Sequence, residues 1–268
     1  MIGSMFRSLR PNRTMGNPDA VSESTLVTTA ELIVVGSAVF VAAFIQMIAG
    51  FGFALLAVPL MTLAIEPKVA VVVSTLTGVF VTSFLAYKDR ADADRVLVRR
   101  MSIGAYVGMP LGLLVFISVD DNVLRFLLGL AVLIAVVLLA MRVNLHHVGP
   151  RLDYCAGFIS GVLATSLSTN GPPLVFTLQA RQLSAPRFRA TISMVFALSN
   201  VGGLALFIAS GEVTRDGLVA AAVTIPAMLV GQLLGFPLRK YVHGERFRWL
   251  VLFLLVAAAI SAIVNAVV

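Results

Sequence analysis

The chain has 268 residues, 59% of them hydrophobic and only 12% charged, with a mean hydropathy of +0.98. A water-soluble domain averages about 25% charged residues, so this composition excludes one and reads as an integral membrane protein. The net charge of +7 does not point to nucleic acid, because Lys and Arg are confined to the N-terminal stretch, the loops and the ends of apolar runs, where they act as topology signals and meet anionic headgroups.

Residues 1–30 are polar, carry Arg7, Arg10 and Arg13 without apolar periodicity, and are expected to form a flexible N-terminal tail. The apolar run that follows continues to Ile65 without a convincing small-residue cleavage site, so it reads as a retained membrane segment rather than a signal peptide. Uncharged runs predict eight membrane segments, at 32–65, 69–87, 101–119, 126–141, 154–180, 190–211, 217–238 and 249–268. The six continuous ones are about 16 to 22 residues long, suited to a single crossing. The first is interrupted near Gly50 and the fifth at 165–173, and the loops are too short for a soluble domain. Cys155, the single cysteine, excludes an internal disulfide and reads as a small buried hydrophobe.

The two halves repeat. A shift of 119 residues places Gly52 on Gly171, Pro67 on Pro186, Lys68 on Arg187 and Ser74 on Ser193. After a four-residue insertion, a shift of 123 places Gly108 and Gly112 on Gly231 and Gly235, and Arg125 on Arg248. The expected fold is an all-α polytopic membrane protein of two repeats, residues 31–145 and 146–268, each of about four helices with the first one broken or re-entrant. If the fifth segment enters and returns as a hairpin, the loops carry fourteen basic residues on the inner side against three outside, as the positive-inside rule requires. That topology makes the repeats inverted. The two GxxxG pairs read as close helix packing.

Function is expected at the interruptions, because backbone polar groups cannot be left open to hydrocarbon. A half-helix starting after a break offers free N–H groups and the positive end of its dipole. Pro172 and Pro173 suit the first turn of such a half-helix. Asn170 and Thr169 can cap it, Gly171 permits close approach of a ligand, and Thr165, Ser166 and Ser168 add hydroxyl donors. Opposite them stand Gly50, Phe51 and Gly52, with Gln46 at the position matching Thr165. Ser74, Ser193 and Asn200 sit within apolar segments, the two serines at matched positions; they are candidates for the site and equally for hydrogen bonds between helices. Donors without a formal charge suit a small anion. The competing account is that these Ser, Thr and Gly residues only let helices pack closely.

The eight segments contain no Asp or Glu, which argues against a cation channel or a carboxylate-coupled antiporter. His146, His147 and His243 lack metal-ligand spacing, so no metal or cofactor is expected. No nucleotide-binding loop or catalytic constellation is visible, so the chain does not read as an enzyme. Arg181, Arg187 and Arg189 after the second interruption read as topology markers that could also draw anions to the inner mouth.

At these residues the chain resembles the sulfite exporter TauE/SafE family of membrane permeases. The resemblance lies in Gly50, Phe51, Gly52 and Phe53 followed by Pro59 and Leu60, in Asn170 through Pro173, and in the duplicated layout beyond residue 30. It implies secondary transport of small anions such as sulfite or organosulfonates like sulfoacetate, and the bacterial inner membrane. The expected partners are a small anion and the lipid bilayer, not nucleic acid; oligomeric state is left open. The expected mechanism is export by alternating access; a permease for another small organic anion and an anion channel are the rival readings.

Overall fold

The computed structural model describes residues 29–49, 52–140, 149–238 and 245–267, which form ten α-helices and no strand. The first five are α1 (Thr29–Ala49), α2 (Phe53–Met61), α3 (Pro67–Asp89), α4 (Arg95–Ser118) and α5 (Asp121–Ala140). The second five are α6 (Pro150–Leu167), α7 (Gly171–Ala180), α8 (Ala185–Ser210), α9 (Arg215–Leu238) and α10 (Glu245–Val267). Six of them, α1, α3, α4, α5, α8 and α9, are long and apolar enough to cross a membrane. The segment expected at 154–180 is divided between α6 and α7, and α10 carries a shorter apolar stretch, Leu252–Ala266. Most of the expected N-terminal tail lies outside the described residues.

Local chemistry sets the helix ends. Proline occupies the first turn of α3, α6, α7 and α8, where its missing N–H has no intrahelical partner to lose. Asp94 caps α4, its carboxylate accepting from the N–H groups of Val96 and Leu97 at 3.0 and 3.1 Å. Gly211 ends α8 in the left-handed conformation.

The halves interlock. α4 packs most extensively against α6, α9 against α1, α3 against α8, and α5 against α10. The glycines make the first two contacts possible. A Cβ at Gly104, Gly108 or Gly112 on α4 would run into the backbone of α6 at Tyr154, Phe158 or Val162. In return, one at Gly157 or Gly161 on α6 would meet the backbone of Met101 or Ala105. Gly231 and Gly235 stand in the same way against Phe40 and Phe44 of α1. Such approach replaces the hydrophobic driving force that hydrocarbon does not provide between helices. Inside, Phe116 of α4 meets Phe207 of α8 with ring centroids 5.0 Å apart and planes tilted by 56°.

The outside is apolar as well. Val107, Leu233 and Phe253, on three different helices, are strongly exposed, the pattern of a surface meant for lipid rather than water. This corrects the expectation for Cys155, which is exposed on α6 rather than buried. A hydrophobe in a membrane protein is as well accommodated facing acyl chains as facing the core.

Ion pairs of Asp153 and Asp94 fasten the helices, and two of them, Arg100–Asp153 and Arg187–Asp94, join the halves. Asp153, in the first turn of α6, is fully buried. Its carboxylate accepts from Arg181 Nε at 3.0 Å and Nη2 at 2.6 Å, and from Arg100 Nη1 at 3.3 Å. Asp94 accepts from Arg187 Nη2 at 2.9 Å, and its backbone N–H donates to Thr191 Oγ1 at 2.9 Å. Arg181 and Arg187, read from the sequence as positive markers, are thus engaged by acids.

Candidate functional site

Two departures from helical geometry bring the site together. α6 closes with Ser168 in the left-handed region at φ 56°, its N–H and that of Thr169 donating back to the carbonyls of Ala164 and Leu163. A non-glycine residue held there carries strain of about 1–3 kcal/mol, a feature that gathers at functional sites. The chain then passes through Thr169 and Asn170 and starts α7 at Gly171. Ser160 braces this passage by donating to the Asn170 carbonyl at 2.9 Å. At the other departure Gly52 precedes α2 at φ 96°, a value glycine adopts without penalty. Nothing stands within 4 Å of where a Cβ of Gly52 would lie, so the residue opens onto free space.

That space is a cavity of about 30 Å³ reached by both passages. Its polar wall is made of Gln46 from the end of α1, Ser74 and Thr82 from α3, Ser168 through Asn170, and Asn200 from α8. Its apolar wall includes Phe53, Leu55, Val81 and Phe196. Among the described residues no charged side chain lines it. The volume is far below the ~300–1,000 Å³ of clefts that enclose drug-sized ligands. It suits an ion of a few heavy atoms.

Most hydroxyls on this wall already have partners. Ser168 donates to Ser74 Oγ at 3.3 Å and lies 3.2 Å from Thr75 Oγ1, tying the α6 terminus to α3. Asn200 donates through Nδ2 to Thr82 Oγ1 at 3.2 Å, across a contact so close that Gly78 could not carry a Cβ without displacing the amide. Three polar groups differ. Gln46 Oε1, Thr169 Oγ1 and Asn170 Nδ2 are buried and make no hydrogen bond among the described residues, although their residues are only 5%, 1% and 8% exposed. An unmet buried polar group costs about 1–3 kcal/mol, so three around one cavity call for a partner.

Two helix N-termini add backbone donors. At α2 the N–H groups of Phe53, Ala54 and Leu55 lie in the first turn, and all three residues line the cavity. At α7 Pro172 and Pro173 have no N–H, which leaves Gly171 as the first-turn donor. Both helix dipoles present their positive ends to the same region.

The structure therefore gathers Gln46, Gly52, Ser74, Ser168, Thr169, Asn170, Gly171 and Asn200 around one cavity. It leaves three other candidates elsewhere. Thr165 donates to the Met109 carbonyl at 2.7 Å and lies 3.2 Å from that of Gly161, fastening α6 to α4. Ser166 returns its proton to the Val162 carbonyl at 2.7 Å. Ser193 is buried on α8 away from the wall. Gly50 and Phe51 lie outside the described residues. Sequence reasoning missed Thr82, Gly78 and Phe196. All three could have been reached by helical spacing, since Phe196 precedes Asn200 by one turn and Gly78 and Thr82 follow Ser74 along one face of α3.

The family model described as Sulfite exporter TauE/SafE matches residues 35–262. A curated protein of Cupriavidus necator, described as a probable sulfite/organosulfonate exporter TauE, is 23% identical over 201 residues, covering 72% of this chain and 78% of that one. No solved structure matches significantly.

Proposed function

This chain belongs to the sulfite exporter TauE/SafE family, and from that premise we propose that it is a secondary transporter of a small sulfur oxyanion, moved outward across the bacterial inner membrane. The observation that carries the reading is the pair of unpartnered donors, Thr169 Oγ1 and Asn170 Nδ2, in a small cavity that no charged side chain lines among the described residues and that two helix N-termini flank. An anion there would be held by the N–H groups near Gly52 and Gly171 and by neutral side-chain donors, without a fixed counter-charge to trap it. The cavity favours sulfite over an extended organosulfonate. The organosulfonates in the name of the Cupriavidus necator relative would need it to widen.

Alternating access is the matching mechanism. The contacts of α4 with α6, α9 with α1, α3 with α8 and α5 with α10 are those expected when a two-fold axis exchanges α1–α5 with α6–α10. With the charge asymmetry of the loops, this supports inverted repeats, with the site between their two interruptions. Rocking of one half on the other would expose the cavity first to one side and then to the other.

The test is sulfite efflux from proteoliposomes carrying Thr169→Val. Valine keeps the shape of threonine and removes an unpartnered hydroxyl, so the unfolding midpoint should hold or rise. Flux should fall about tenfold or more, the worth of a hydrogen bond to a charged group. Unchanged flux would remove the hydroxyl from the site. Flux that saturates and is accelerated by sulfite on the far side distinguishes a transporter from an anion channel.

A further inference from the structure

A second recess lies away from the central cavity, on the outer face between α4 and α8. Its volume is about 720 Å³, and its two ends differ in chemistry. At one end stand Arg90, Arg95 and Arg99, from the α3–α4 connection and the first turns of α4. Along the rest run Ile103 and Tyr106 of α4, facing Met194 and Leu198 of α8. Positions 95, 99, 102, 103 and 106 follow the spacing of a single helical face, so cations lead straight into an apolar stripe. The Tyr106 hydroxyl donates to the Leu198 carbonyl at 3.0 Å and closes the far end.

Arg95 and Arg99 are uncommitted, and Arg90 is held only by its neighbour Tyr87. Arg90 lies over the Tyr87 ring at 4.2 Å and donates to the Tyr87 carbonyl at 2.6 Å. Neither Arg95 nor Arg99 has an acid partner among the described residues. All three are exposed. The acids of the same connection do not supply the missing charge: Asp94 is taken by Arg187, and Asp89 and Asp92 do not line the groove. Arg95 also sits in the first turn of α4, the end of the dipole that disfavours a cation. A second observation points the same way. Ser102, just below the arginines, lines the groove and is only 6% exposed, yet its hydroxyl makes no hydrogen bond among the described residues.

We propose that this groove holds one anionic phospholipid, its phosphate among Arg90, Arg95 and Arg99 and one acyl chain along Ile103 and Met194. Charge complementarity selects the headgroup, and the apolar wall of Ile103, Met194 and Leu198 beside it selects a lipid over a free anion. Ser102 offers its hydroxyl to the glycerol region. Because the groove joins α4 of the first half to α8 of the second, a bound lipid would rest on both halves.

Full-length protein in neutral detergent is titrated with short-chain phosphatidylglycerol, with phosphatidylcholine of equal chain length as control, and adducts are counted by native mass spectrometry. One phosphatidylglycerol should bind in clear preference to phosphatidylcholine. Each arginine removed should weaken it about fivefold, the worth of one basic residue at an anionic surface, so Arg95→Gln/Arg99→Gln should lose about 25-fold. Both side chains are exposed and unpaired, so the double variant should melt without lipid as the wild type does. Unchanged lipid binding in it overturns the proposal. So does full displacement by inorganic phosphate or sulfite at the same concentration, which would assign the arginines to a free anion. A dimeric mass without lipid adducts would assign the groove to a second copy of the chain and equally overturn it.

Discussion

Asp153 is the one fully buried carboxylate among the described residues, and the sequence hides it by a single position. It precedes the apolar run at 154–180, so counting charges inside that run misses it. Its partners, Arg100 and Arg181, lie 53 and 28 residues away, and nothing in the local pattern of either reveals the match. Once folded, the acid holds α6, α4 and the end of α7 together, in a place where a buried charge survives only with partners. Asp153→Asn should lower stability by about 3 kcal/mol, the low end of the range for breaking a buried pair, because both arginines keep some contact with solvent. Thermal unfolding in detergent measures it. The Asp94–Arg187 pair is far more open, with side chains 18% and 54% exposed, and Arg187→Gln, which leaves the Asp94 cap in place, should cost under about 1 kcal/mol. Thr165 shows the opposite limit of sequence reading: its hydroxyl looks like a ligand group but is spent on two carbonyls.

Among the helices, glycine serves two purposes that the sequence cannot separate. Gly52 and Gly161 are both glycines near an expected interruption. Gly52 has a left-handed backbone and empty space in front of it, whereas Gly161 has an ordinary helical backbone pressed on the Ala105 carbonyl. Gly52→Ala should therefore lose only the conformational penalty, about 1–2 kcal/mol, and still accumulate in the membrane. Gly161→Leu must push α4 and α6 apart, an overpacking beyond the usual 1–3 kcal/mol, and should fail to accumulate. Membrane yield and unfolding midpoint of the two variants test the distinction. The all-helical class and most of the apolar helices were legible because hydrocarbon demands long uncharged runs and permits little else. The repeated glycines announced close packing, since only they allow it. Which helix each glycine would meet was not legible, because apolar faces carry no address.

At the scale of the whole molecule, the dominant contacts are made between the halves: the first helix of each lies against the fourth of the other. The same exchange puts Gln46 and Ser74 in the first half opposite Thr169 and Asn170 in the second, so the cavity belongs to neither half alone. Residues 31–145 produced by themselves should be degraded, and co-production with residues 146–268 should restore both fragments and sulfite efflux; quantitative immunoblotting of membranes reads the outcome. The exchange also has a consequence in time. During synthesis the ribosome delivers α1 and α4 well before the helices that cover them. The glycine face of α4, with its open row of small residues, must then wait in the bilayer until α6 emerges. For that interval the nascent chain is a half-built surface, exposed to mispairing and to membrane proteases, and the speed of translation through 119–167 sets how long the exposure lasts.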